Sequence, residues 1–240
     1  MWNSGQILER QQQAFLADPQ PSAKVRRDRI TRLKRLVLDN AAELTEAMRE
    51  DYGSRPETLS TLTDIASSIP DLDHQRSHLK KWMKPTRISR VLDRVGFHQQ
   101  VRHDPKGVVG IMGPWNFPLY LTIVPAGSAL GAGNRVMLRP SSVTANTTEV
   151  LARRAPDYFA VDELAVIGPE HGRGSDFSVL PFDHLFFTGS PAVGKSVAKD
   201  AAENLTPVTL ELGGKNPVLV DSSADIERAA RSCLLYTSPS

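Results

Sequence analysis

Apolar residues recur at intervals of three and four from Lys24 to Asp51, at Ile30, Leu33, Val37, Ala41, Leu44 and Met48, with lysine and arginine between them. That period predicts one amphipathic helix with a solvated basic face. A second helix is expected after Pro56, turning Leu59, Leu62, Ile65 and Ile69 inward, with Pro70 kinking or ending it. Between Ile88 and His103 the period becomes two, at Val95, Phe97, Gln99 and Val101, and predicts an extended, partly exposed strand pair. From Lys106 onward, short apolar runs alternate with helical stretches. The runs are Gly107 to Met112, Arg135 to Leu138, Leu164 to Ile167, Leu185 to Phe187, Val208 to Leu210 and Val218 to Val220. Strand and helix in alternation predict an α/β fold, a Rossmann-like parallel sheet with helices on both faces, preceded by N-terminal helices and a β arm. Ligands in such sheets bind beyond the carboxyl ends of the strands. The motifs Gly113-Pro114-Trp115-Asn116, Arg139-Pro140-Ser141, Thr188-Gly189-Ser190 and Glu211-Leu212-Gly213-Gly214 all fall there.

Composition narrows the functional classes. The chain has 240 residues, 40% hydrophobic and 23% charged, an ordinary globular balance. Its net charge of +2, from 29 basic and 27 acidic residues, gives no electrostatic case for nucleic acid. The longest weakly polar run, Phe117 to Gly133, is broken by prolines and glycines, and the N-terminus lacks the apolar core of a secretion signal. No membrane association is therefore expected. One cysteine excludes an intrachain disulfide and suits a reducing cytoplasm. His74 and His78 are four apart, but no third ligand completes a site, so no metal is expected.

Candidate chemistry concentrates between His184 and Lys215. An apolar run feeds Thr188-Gly189-Ser190 and a helix opening at Pro191, which brings free backbone N–H groups and the positive end of a helix dipole together, as a nucleotide phosphate requires. Gly189 to Ser196 also fits G-x-x-x-x-G-K-[ST], the phosphate loop of nucleoside triphosphatases, with Val218-Leu219-Val220-Asp221 as a possible magnesium-holding strand end. Pro191 argues against that reading by deleting one N–H donor from the loop.

The longer pattern F-T-G-S-x-x-V-G, then L-T-P-V-T-L-E-L-G-G-K-x-P, resembles the aldehyde dehydrogenase superfamily, and Leu180 to Leu185 resembles its class 3 and coniferyl aldehyde dehydrogenase branch. The likeness resumes at Gly110 to Pro118, Gly131 to Asn134 and Arg139 to Ser141, and covers roughly residues 20 to 231. It implies NAD- or NADP-dependent oxidation of an aldehyde. Asn116 would supply the oxyanion donor and Glu211 the general base. Gly189 and Ser190 would face the cofactor pyrophosphate, Trp115 and Val193 its adenine and ribose side, and Leu212 its nicotinamide half. Arg139 stands where the family carries the lysine that holds the adenosine ribose, and Ser142 replaces a glutamate there, which favours tolerance of NADP.

The resemblance also implies boundaries. Residues 1–84 would be the helical part of the cofactor domain and 85–105 bridging strands that join a neighbouring subunit, giving a homodimer. Residues 106–211 would form the dinucleotide-binding domain and 212–232 the start of a catalytic domain that is largely missing. The family's nucleophile sits on a Gly-Gln-x-Cys turn. Cys233 lacks that setting, so residues 233–240 read as a non-family tail and the chain as an inactive N-terminal fragment of an enzyme. A naturally short, non-catalytic dinucleotide-binding or subunit-interaction protein and the ATPase remain the alternatives.

Overall fold

The computed structural model describes residues 2–88, 96, 98–214 and 216–236, the last four through their backbone alone. The chain opens with α1 (Ser4–Ala17), whose Asn3 and Gln6 form a reciprocal capping box. The glutamine-rich sequence hides this helix from periodicity. Its Gln11 amide donates to Val136 O at 3.0 Å and Val161 O at 2.8 Å, tying α1 across the sheet.

The expected long helix is two, α2 (Ala23–Asp39) and α3 (Ala41–Tyr52). Asn40 breaks it by leaving helical geometry and donating its side-chain amide to Leu36 O at 2.8 Å, satisfying a terminal carbonyl of α2. Ile30, Leu33, Val37, Leu44 and Met48 are all fully buried, as the period predicts.

The next helical stretch comprises α4 (Glu57–Ser60), a π turn (Thr61–Ala66) and α5 (Ser67–Trp82). The extra residue per turn alters the phase, so Leu62 faces solvent while Ile65 is buried. Pro70 neither ends nor interrupts the helix. The widened turn just before it leaves room for the ring that would otherwise crowd the preceding carbonyls.

Two short antiparallel strands follow, β1 (Thr86–Arg87) and β2 (Gln100–Val101), both exposed. The expected alternation at Val95 and Phe97 lies outside the described residues. The main sheet is built from β3 (Val108–Met112), β4 (Arg135–Arg139), β5 (Leu164–Val166), β6 (His184–Gly189) and β7 (Val208–Leu212). All neighbours are parallel, in the order β5-β4-β3-β6-β7. Helices α6 (Tyr120–Ala132), α7 (Ala145–Arg154), the short α8 (Gly174–Ser178) and α9 (Pro191–Ala202) connect them, and α10 (Ile226–Tyr236) closes the described chain.

Strand alternation splits the core into two layers. Val109, Ile111, Val136 and Leu138 meet α2, α3, α6 and α7, whereas Val108, Met112, Met137, Leu185 and Phe187 meet α1, α8 and α9. The sixth expected strand, Val218 to Val220, pairs with nothing among the described residues, and Leu219 is 95% exposed. Its apolar side chains look like a buried strand in sequence, but a strand exists only where a partner accepts its hydrogen bonds.

Candidate active site

Strands β3 and β6 lie side by side, with Met112 opposite Phe187. After β3 the chain turns to α6 on one face of the sheet, and after β6 it turns to α9 on the other. Strand order reverses there, so the two connections diverge and leave a crevice between them. It is a cleft of about 1350 Å³. Asn116 and Trp115 line it from the β3–α6 connection, Gly189 from the end of β6, Ser190 and Val193 from the start of α9, and Glu211 and Leu212 from β7. Gly113, Ser141 and Gly213 contribute too. Of the eight residues given a catalytic or cofactor role from the sequence, Asn116, Glu211, Trp115, Gly189, Ser190, Val193 and Leu212 line it and Arg139 does not.

Ser190 caps α9, its hydroxyl oxygen accepting from Val193 N at 3.3 Å, while Pro191 occupies the first helical position, where a missing N–H costs nothing. Gly194 N is used by Ser190 O. The Ala192 N–H and the Ser190 hydroxyl hydrogen therefore remain for an anion, reinforced by the helix dipole. Gly189 is required by close approach, since a Cβ would lie 2.5 Å from the Phe187 ring.

This geometry removes the triphosphatase alternative. Residues 191–196 are already helix, so no run of free amides exists to wrap a triphosphate. Asp221, its supposed magnesium ligand, ends no strand. Its carboxylate accepts from Ser223 N at 2.8 Å and Ser223 Oγ at 2.7 Å, and these bonds hold it below the usual carboxylate range.

Arg139, expected from the sequence to be a ribose donor, has its guanidinium engaged by backbone carbonyls. On β4 it shares the face of Met137 and Arg135, and it is buried. Its guanidinium donates to Ile167 O at 3.1 Å, Gly172 O at 2.6 Å and also Gly168 O, so its donors bind the loop after β5. Burial lowers its pKa from the ordinary arginine value, with Glu170 and Asp176 opposing.

Several structural groups were missed. Asp51 accepts from Asn146 N and Thr147 N at 2.9 Å each, so the N-terminus of α7 beside Ser141 already holds a carboxylate and offers no second phosphate site. Arg55 and Asp64 form a buried ion pair behind Asn116 at 2.9 Å. A signal for it exists in the sequence, since Ser60, Asp64 and Ser68 form a polar stripe at spacing four, and all three are buried. Their partners are remote in the chain, which hides the purpose of the stripe. Among the described residues no group of three or more histidine, cysteine or acidic side chains is placed to hold a metal, and no helix is long and apolar enough to cross a membrane.

The aldehyde dehydrogenase family matches residues 5–237. The chain belongs to that family. A probable coniferyl aldehyde dehydrogenase of Caulobacter vibrioides is 45% identical over 229 residues, covering 93% of this chain and 47% of that protein. The coniferyl aldehyde dehydrogenase of a Pseudomonas species is 40% identical over 230 residues, covering 96% and 47%. Among solved aldehyde dehydrogenases, a substrate-bound Staphylococcus aureus AldH superposes with a TM-score of 0.88 at 31% identity, over 99% of this chain and 52% of that one. An NAD+ complex of the Bacillus cereus enzyme superposes with a TM-score of 0.77 at 26% identity, over 94% and 46%. The chain spans about half the length of the curated relatives it matches.

Proposed function

We propose that this chain is the cofactor-binding half of an aldehyde dehydrogenase that oxidises an aldehyde, aromatic and of the coniferyl aldehyde type, to the carboxylic acid with NAD or NADP. The observation that carries this is the meeting of Asn116, Glu211 and the capped start of α9 in one cleft at the strand-order reversal. The two coniferyl aldehyde dehydrogenase relatives support the substrate class.

The cofactor fits the donors present: Ala192 N–H and the Ser190 hydroxyl for pyrophosphate, Trp115 and Val193 for the adenosine side, and Leu212 for the nicotinamide side. NAD(P), when bound, supplies a hydride acceptor. Asn116 makes no side-chain hydrogen bond to the described residues, so its amide is free to donate to the oxygen of the substrate carbonyl as negative charge develops on it. A single oxyanion donor is worth about 3 to 4 kcal/mol. Glu211 is exposed to the cleft beside Gly213, where an added Cβ would meet nothing within 4 Å. It has room for a water molecule and takes its proton as the acyl group is released. The thiolate nucleophile belongs to the Gly-Gln-x-Cys turn of the family pattern, which the described residues do not contain.

Ser142 is exposed next to the cleft-lining Ser141, with no carboxylate to repel a 2′-phosphate, so both cofactors are accepted. Arg139 is left out of the ribose site. The exposed β1–β2 pair is assigned to subunit pairing in a homodimer, and the reaction to the cytoplasm.

Thermal protection tests the cofactor site: NAD and NADP should each raise the unfolding temperature, and magnesium ATP should not. Protection by magnesium ATP that disappears in Lys195→Ala would reject the reading. Activity is tested by joining this chain to the C-terminal half of the Caulobacter relative. The hybrid should oxidise aromatic aldehydes and lose that turnover in Glu211→Gln.

A further inference from the structure

Three side chains from the N-terminal helical region grip the backbone on either side of Asn116. The Tyr52 hydroxyl donates to Trp115 O. Arg55 Nη1 donates to Asn116 O at 2.7 Å. Asp64 Oδ1 accepts from Leu119 N at 3.1 Å and Tyr120 N at 3.2 Å, where α6 begins. Arg55 Nη2 joins the second and third, donating to Asp64 Oδ2 at 2.9 Å and to Thr63 Oγ1 at 2.6 Å. The guanidinium lies over the Tyr52 ring at 4.8 Å and the Phe117 ring at 5.4 Å, and Asp64 is wholly buried in the π turn.

A buried ion pair is a poor source of net stability, because desolvation offsets most of its attraction, but it holds geometry. The planar fork of arginine suits two acceptors in fixed directions, and a lysine ammonium lacks that fork. Single π turns inside α-helices are frequent at functional sites. Asn116, meanwhile, has a backbone carbonyl fixed by Arg55 and a side chain without a partner among the described residues.

We propose that Arg55, held by Asp64, is a positioning residue for Asn116: it fixes the Asn116 peptide so that the side-chain amide stays turned into the cleft. This rests on the reading of Asn116 as the oxyanion donor. Two measurements test it. In the 240-residue chain, Arg55→Lys should shift the backbone amides of Asn116 and Phe117 and increase their mobility in 15N relaxation. If Arg55→Lys does not fold, Asp64→Asn is read by the same criterion, and failure of both to fold makes the pair a folding requirement and overturns the inference. Unmoved amides in a folded variant also overturn it.

In the hybrid enzyme, Arg55→Lys should lower kcat by about tenfold to a hundredfold through misplacement, and Asn116→Ala by about 10² to 10³. Arg55→Lys added to Asn116→Ala should then do no further harm, whereas a generally structural role would lower both backgrounds equally. Additive losses, or a crippled Asn116→Ala beside an intact Arg55→Lys, overturn the positioning role alone. Full turnover in Asn116→Ala overturns the oxyanion reading and with it the purpose assigned to Arg55.

Discussion

Replacing Gly113 with alanine tests how tightly the β3–α6 connection is built. A Cβ there would stand 2.0 Å from Thr122 Oγ1 and 3.3 Å from Thr122 Cβ. Thr122 is fully buried, its hydroxyl donating to Pro118 O at 2.6 Å, and Gly113 N is fixed to Arg139 O at 3.1 Å. Neither side has room to retreat by the ångström or more that a normal contact needs. Overpacking of this kind costs roughly 1 to 3 kcal/mol. Thr122→Ala alone should cost about 1 kcal/mol for the hydrogen bond and about 0.8 kcal/mol for the methyl. It removes the 2.0 Å contact, leaving the one at 3.3 Å, which is tight but tolerable with a small adjustment. The double variant should thus be little worse than Thr122→Ala, a favourable coupling of roughly 1 to 2 kcal/mol. Urea unfolding of the chain measures all four corners of the cycle, and each kcal/mol corresponds to roughly 2 to 4 °C in Tm at this size. A Gly113→Ala cost below about 0.5 kcal/mol, or a double variant that simply sums the singles, would refute the steric argument.

Three further outcomes are expected. Ser142→Glu should raise the Kd for NADP by about tenfold and leave that for NAD unchanged, and an unaltered ratio in paired titrations would reject the 2′-phosphate argument. Arg139→Met should destabilise the chain by about 1.5 to 3 kcal/mol in urea unfolding, because buried carbonyls of the loop after β5 lose a charged donor, with NAD affinity unchanged. The reverse pattern would return Arg139 to the cofactor site. Burial, aided by Lys106, lowers the His184 pKa below its ordinary 6.5. The unfolded chain therefore takes up this proton first, so stability should fall as pH drops through about 6.5 towards the folded value. His184→Gln should flatten stability-versus-pH curves over that window, and an unchanged slope would show the imidazole is not the group responsible.

Much of the sheet was legible because a parallel strand covered on both faces must be apolar throughout, and β3 to β6 each carry such a run. The same rule misread Val218 to Val220, since it registers composition and not the presence of a hydrogen-bonding neighbour. Helical period located α2 and α3 but could not see that Asn40 would satisfy the end of α2 itself. It also put Leu62 inside, because a π turn adds a residue that no fixed period anticipates.

The features legible along the chain were local: the glycine turn at Gly189, the helix start at Pro191, the strands, and the motifs at their carboxyl ends. These depend on backbone geometry within a few residues of each side chain. The tertiary structure alone decided which motifs share a cleft, through the order β5-β4-β3-β6-β7 that parts the connections after β3 and β6. It also turned Arg139 away from that cleft, by the alternation of β4 and the carbonyls beyond β5, and joined Arg55 and Asp64 to a loop more than 50 residues further on. Such pairings bring together groups remote in the chain, and their energy depends on burial and direction, neither of which any short stretch of sequence contains.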